Sequence, residues 1–149
     1  DNFRGIKVLH KETNFMVTGA IDDLWVDPQG RMIVVDYKAT SSERQPSLTG
    51  RWSDGYKRQV EVYQWLLREC GFQVSDTAYF VFVNGDRGRD IFDGKLEFTT
   101  HIISYTGNTA WVDDALKEAH LCLCRDEPPM ENPSCEWCAY RKAALAVEQ

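Results

Sequence analysis

With 149 residues, 43% of them hydrophobic and 27% charged, the chain has enough apolar material for one buried core and no run long enough for a membrane span. Its formal net charge of −6 argues against a protein that coats nucleic acid by bulk electrostatics, while leaving room for a local basic groove. Five cysteines, an odd number gathered late in the chain (Cys70, Cys122, Cys124, Cys135, Cys138), fit a reducing compartment better than a disulfide scaffold; with no basic-then-apolar leader in DNFRGIKVLH, the expected location is cytoplasmic.

In chain order, a short strand is expected around Ile6–Leu9. Phe15–Val26 then runs mostly apolar and β-branched into the turn signal DPQG, and Met32–Tyr37 follows as a continuous apolar strand, so the two read as a hairpin. Residues 41–54 are rich in Ser, Gly and Pro and read as a loop. Gly55–Cys70 has helical spacing, with Ser53 or Asp54 as its cap and Gly71 as its stop. Thr77–Val83 is a further buried strand, and the polar turn NGDRGRD leads to another over Leu96–Tyr105. Asn108–Cys124 reads as a helix with Val112, Leu116, Ala119 and Leu123 as its apolar stripe. A Pro-containing loop and a short helix make residues 125–149 a cysteine-containing extension of a single domain spanning 1–149. The order of elements gives an α/β or α+β class, a sheet with helices packed on it.

The hairpin carries the chemistry. If it turns symmetrically about Gln29, Asp22 lies opposite Asp36, and the period of two puts Lys38 on the same face as Asp36. Two facing carboxylates in a partly apolar site repel, and each costs several kcal/mol to bury unless something compensates. Hard oxygens from Asp22 and Asp36, with the Tyr37 carbonyl, suit Mg²⁺ or Mn²⁺, which keep waters and pick up phosphate oxygens. Lys38 beside such an ion would orient or help deprotonate an attacking water and neutralise charge building on phosphorus, which is phosphodiester hydrolysis. On the local pattern alone, an equal reading has the aspartates capping strand ends and Lys38 in a surface ion pair.

Gly19-x-Ile21-Asp22 followed by Val34-Val35-Asp36-Tyr37-Lys38 resembles the core of the PD-(D/E)xK nucleases, in particular the RecB-type and CRISPR-associated exonuclease branch. Gln59-Val60-Glu61-Val62-Tyr63 stands where that branch carries Q-x-x-x-Y on the following helix, and a spacing of four puts Gln59 and Tyr63 on one helix face. Taken alone, that pair is an ordinary helix residue and a core tyrosine. The resemblance covers residues 17–64 and implies a restriction-endonuclease-like core, a mixed central sheet flanked by helices. It also implies a metal-dependent, exonuclease-like activity on single-stranded DNA or duplex ends, in DNA repair, recombination or mobile-element defence. In that scheme Asp22 and Asp36 bind Mg²⁺ or Mn²⁺, Lys38 is the catalytic lysine, and Gln59 and Tyr63 position the lysine or the DNA backbone. Relatives often carry a further Glu or His on a helix before the first strand; here about fifteen residues precede the hairpin and His10 is the one upstream histidine, in a strand-like setting. A larger parent protein, or a helicase or recombination partner, is the expected source of such a helix. The rival function is a catalytically silent nucleic-acid-binding module of the same fold.

Cys135-x-x-Cys138 is similar to part of the cysteine set of the iron–sulfur members, but Ala144 stands where a third cysteine is sought and none precedes Cys70, so no cluster is expected. A zinc site from Cys122, Cys124, Cys135 and Cys138 is the alternative, hampered because residues two apart on a helix point about 200° apart. Nucleic-acid contacts are expected between the D-x-K strand and the Q-x-x-x-Y helix. There Arg44, Arg51, Lys57 and Arg58 outnumber Glu43 and Asp54, and Trp52 and Tyr56 are interleaved as stacking faces. Arg87 and Arg89 are offset by two aspartates and read as a solvated turn.

Overall fold

Two β-sheets and three helices make up the described part of the computed structural model, residues 5–50, 53–88 and 93–147. Strands β1 (Ile6–His10) and β2 (Phe15–Gly19) form a separate antiparallel hairpin, turned through Asn14 at a φ of 58°. The main sheet has the order β3-β4-β5-β6, from Asp23–Val26, Met32–Thr40, Thr77–Gly85 and Phe98–Thr106. β4 and β5 are parallel and joined through helix α1 (Ser53–Glu69); the outer pairs are antiparallel. Helices α2 (Val112–Leu123) and α3 (Glu136–Val147) follow. This is the mixed sheet flanked by helices that the sequence implied.

Helix α1 ends as its sequence requires: Gly71 takes a φ of +86°, its N–H bonds the Arg68 carbonyl at 2.8 Å, and the Phe72 N–H reaches the Leu67 carbonyl at 3.1 Å. One flank of α1 sets Val60 and Leu67 against Val34, Ala78, Phe80 and Phe82 of the main sheet. Its other flank sets Trp65 and Leu66 against Val8 and Val17 of the hairpin and Val112 of α2. The helix is therefore the shared core element of two layers.

Two expectations need correction. The run Phe15–Val26 is not one strand: the chain leaves the first hairpin at Gly19 and enters the main sheet only at Asp23. One continuous strand cannot pair with β1 and β4 at once, and the apolar composition of the run does not mark the break. On α2, Val112 is buried and Leu116 half-buried, but Ala119 is exposed and Leu123 is 74% exposed. The helix docks mainly by its first turn and by polar pairs with the hairpin, Lys117–Glu12 at 2.8 Å and His10–Asp113 at 3.5 Å.

Where β6 ends, Glu61 of α1 is buried and saturated with donors. Its Oε1 accepts from the Tyr105 hydroxyl (2.6 Å) and the Asn108 N–H (3.0 Å), and its Oε2 from Trp111 Nε1 (2.7 Å). Burial, then the Glu61 hydrogen bond and charge, push the Tyr105 hydroxyl up to about 12. The folded protein thus holds this proton more tightly than the unfolded chain, whose tyrosine ionises near 10. Stability from this group is complete below about pH 10 and is lost as pH rises toward 12, by about 2 kcal/mol. Urea unfolding in the two regimes, compared with Tyr105→Phe, measures it: the variant should show a shallower alkaline slope, and an identical slope would refute the assignment.

Candidate active site

The observed β3–β4 register pairs Asp23 with Val35 and Trp25 with Ile33, as a hairpin symmetric about Gln29 requires. One step further places Asp22 opposite Asp36, and the Tyr37 N–H between them donates to Asp22 Oδ2 at 2.9 Å. Asp36 is fully buried whereas Asp22 is exposed, so the pair spans the boundary between core and solvent. Lys38, two residues on and 18% exposed, brings Nζ to 2.5 Å from Asp36 Oδ2. The expected convergence of Asp22, Asp36 and Lys38 is present.

Helix α1 completes the arrangement from above the sheet. Lys38 Nζ donates to Gln59 Oε1 at 3.1 Å, and Gln59 Nε2 donates to the Tyr63 hydroxyl at 2.8 Å, one helical turn away. The Tyr63 ring in turn fills the space over Gly19: a Cβ there would lie 2.8 Å from Tyr63 Cε1 and 2.8 Å from Leu66 Cδ1. Gly19 is thus fixed by close approach of backbone to ring. Neither it nor its contact with Tyr63 was assigned a role from sequence, although a glycine at a strand end ahead of an aspartate is a readable signal.

Electrostatically the site is under-compensated. Neither carboxylate oxygen of Asp36 accepts a well-aligned hydrogen bond among the described residues, the close Lys38 ammonium notwithstanding. Burial raises the Asp36 carboxyl above its ordinary value, the Lys38 hydrogen bond and charge pull it back in part, and the Asp22 charge raises it again. A cation would supply compensation, and a buried carboxylate without a hydrogen-bond donor beside an exposed one is a donor set that fits a hard divalent ion. Among the described residues no group of three or more His, Cys, Asp or Glu side chains converges, so two carboxylates are what the side chains offer. Water, substrate and backbone carbonyl oxygens are the other donor types such ions accept.

Tyr37 turns its side chain to the opposite face, where its hydroxyl donates to Asp23 Oδ2 at 2.9 Å. Asp23 also accepts from Trp25 Nε1 and the Leu24 N–H, and these donors, the Tyr37 hydroxyl first, hold its carboxyl below the usual range. Nothing in the local sequence pattern singles out Asp23, which ties the Tyr37 hydroxyl on β4 to β3.

The expected nucleic-acid residues divide. Arg44 and Arg58 are exposed, Lys57 lies 3.5 Å from Asp54, and Tyr56 is half-buried, 6.4 Å from the Phe80 ring with Lys38 Nζ 4.6 Å from its own centroid. Arg51 and Trp52 lie outside the described residues, as does Arg89. The loop bearing Arg44 is braced to the end of β5: Asn84 exchanges two hydrogen bonds with the Ser42 main chain, and Arg87 pairs with Glu43 at 3.3 Å. His10 does not join the carboxylates; it bonds Thr13 Oγ1 at 2.7 Å and faces Asp113. Cys135 and Cys138 are bonded to each other at the start of α3, and among the described residues Cys122 and Cys124 do not gather with them.

No curated protein sequence matches the chain. A crystal structure of SSO0001 is similar at 19% identity and a TM-score of 0.45; the match covers 89% of this chain, which spans about half (52%) of that one. The family model of the PD-(D/E)XK nuclease superfamily matches residues 2–143. On that match, and with the aspartates and lysine of its motif gathered at one point of the sheet, the chain belongs to the PD-(D/E)XK nuclease superfamily.

Proposed function

We propose that the protein is a metal-dependent deoxyribonuclease, exonuclease-like and of the RecB-type or CRISPR-associated kind, acting on single-stranded DNA or duplex ends. The observation that carries this is the fully buried Asp36, raised in pKa, with free lone pairs and the Lys38 ammonium beside it. Superfamily members generally use Mg²⁺ or Mn²⁺. Asp22 and Asp36 would hold it, aided by the Tyr37 carbonyl, and when bound it supplies Lewis-acid polarisation of the scissile phosphate. Lys38 does the chain's own chemistry: its ammonium orients the attacking water and hydrogen-bonds the charge that develops on the phosphate oxygens. Gln59 holds Lys38 and Tyr63 holds Gln59, so a fixed relay aims the lysine. Arg44, Lys57 and Arg58, with Arg51 and Trp52 of the same stretch of sequence, would take the DNA backbone and bases.

One observation favours a second reading, a silent nucleic-acid-binding module: only two carboxylates meet among the described residues. End-labelled single- and double-stranded DNA incubated with Mg²⁺, Mn²⁺ or EDTA separates the two. Cleavage that needs metal and falls by on the order of 10³ in Lys38→Ala, with an unchanged melting temperature, is the expected result. A folded wild-type protein that binds DNA without cutting it would establish the silent module instead.

A further inference from the structure

Lys38 is held from three sides, and only two are accounted for by the relay. Gln59 Oε1 accepts one of the ammonium's N–H groups, Asp36 Oδ2 is its ion-pair partner at 2.5 Å, and the aromatic face of Tyr56 lies 4.6 Å from the nitrogen. Tyr56 sits in the first turn of α1, three residues ahead of Gln59, so both reach down from the same helix onto the same lysine. Its ring is packed from below: Phe80 stands 6.4 Å away, and Phe82 is 6.4 Å from Phe80. The parallel register sets Phe80 beside Asp36 and Phe82 beside Lys38 on the same face of the sheet. A long, flexible side chain is thereby confined between an aromatic wall, a buried carboxylate and an amide.

We infer that Tyr56 is a positioning residue for Lys38, its ring face fixing the ammonium over Asp36, rather than a platform on which a nucleobase stacks. The inference rests on the nuclease reading for its catalytic consequence and on geometry for the contact itself. Without the ring, the lysine stem gains rotamers that carry Nζ away from Asp36 and Gln59, at a cost appearing in turnover and not in substrate capture. The contact is made by the ring, so a phenylalanine should serve as well as the tyrosine.

The test compares Tyr56→Phe, Tyr56→Leu, Lys38→Ala and the double variant Tyr56→Leu/Lys38→Ala on labelled single-stranded DNA in Mn²⁺, with thermal unfolding of each. Expected are wild-type kinetics for Tyr56→Phe, kcat lower by about tenfold with KM unchanged for Tyr56→Leu, and no further loss from Tyr56→Leu once Lys38 is gone. A second readout is independent of cleavage: the Lys38 Cε protons should be shifted upfield by the ring current in the wild type and Tyr56→Phe, and move to ordinary positions in Tyr56→Leu. A rise in KM at constant kcat would make Tyr56 a stacking platform and overturn the inference, as would kcat unchanged in a folded Tyr56→Leu. An inactive wild-type protein whose Lys38 protons still show the ring shift would overturn the nuclease reading while leaving the contact proven; absence of that shift in an active protein would overturn the contact alone.

Discussion

Replacing Asp36 with asparagine is expected to make the metal-free protein more stable and at the same time to abolish cleavage. Burial raises this carboxyl in the folded state, and the Lys38 and Asp22 charges leave the net direction upward. The sign follows: a raised folded-state value means that the protein is most stable with Asp36 protonated, and that stability is lost as pH rises through the raised value, so at neutral pH the ionised group is a liability. Asparagine keeps the shape and removes the charge. Removing one member of a buried ion pair usually strands the other, at a cost of about 3–5 kcal/mol. Here Lys38 is not stranded, because it is 18% exposed and keeps Gln59 and the Tyr56 ring. The desolvation term therefore wins, and a gain of about 1 kcal/mol, or about 3 °C in Tm, is expected in EDTA. Millimolar Mn²⁺ should raise the wild-type Tm, since a ligand that binds only the folded state stabilises it, and leave Asp36→Asn unmoved. Cleavage should fall by on the order of 10³ or more, about 4 kcal/mol of transition-state stabilisation. Thermal scans with and without Mn²⁺ decide the matter: a variant that melts lower in EDTA, or that still responds to Mn²⁺, would show that Asp36 is a structural carboxylate and not the metal's anchor.

The parts of this site that were legible in the sequence are those set by local geometry. The turn at Asp27–Gly30 is closed by a Gly30 N–H to Asp27 carbonyl bond and by Gly30 at a φ of +79°, so the register that brings Asp22 opposite Asp36 follows from a handful of adjacent residues. Gln59 and Tyr63 follow from helical spacing in the same way. What escaped notice depends on distant partners. The break after Gly19 lies where Tyr63 and Leu66 of α1 press on that glycine, and within the run Phe15–Val26 only the glycine itself hints at it. Tyr56, between Arg58 and the loop, has the company of a nucleic-acid-binding aromatic; its actual neighbours, Lys38 and Phe80, come from strands β4 and β5. The α2 stripe has the right period but buries only its N-terminal half: Val112 and Leu116 join the cluster of Trp65 and Leu66, whereas Ala119 and Leu123 stay exposed.

Glu61 is the sharpest case of a residue hidden by its own pattern. Lying between Gln59 and Tyr63, it reads as a solvated helix position, yet it is buried, with its partners Tyr105, Asn108 and Trp111 44, 47 and 50 residues away. Glu61→Ala is accordingly expected to be far more damaging than a surface glutamate would be. It leaves three donors without an acceptor, two of them on the half-buried side chains of Tyr105 and Trp111, and opens a void between α1, the end of β6 and the entry to α2, with an expected loss of about 3–5 kcal/mol. Against a total stability of roughly 5–15 kcal/mol for a domain of this kind, that removes a third or more of the margin. Glu61→Gln should fall between, at about 2 kcal/mol, because the amide oxygen still accepts while its NH₂ is turned toward donors. Urea unfolding of both variants, with Tyr105→Phe and the Glu61→Ala/Tyr105→Phe pair, closes a cycle in which the two single losses should exceed the double loss. Strict additivity would dissolve the proposed hub. Glu61 is two residues from both Gln59 and Tyr63, roughly 200° around the helix, and so lies away from the face that aims Lys38. Its loss should therefore cost stability with little change in kcat for the molecules that remain folded, which separates the residue that holds α1 down from those that use α1 to hold the lysine.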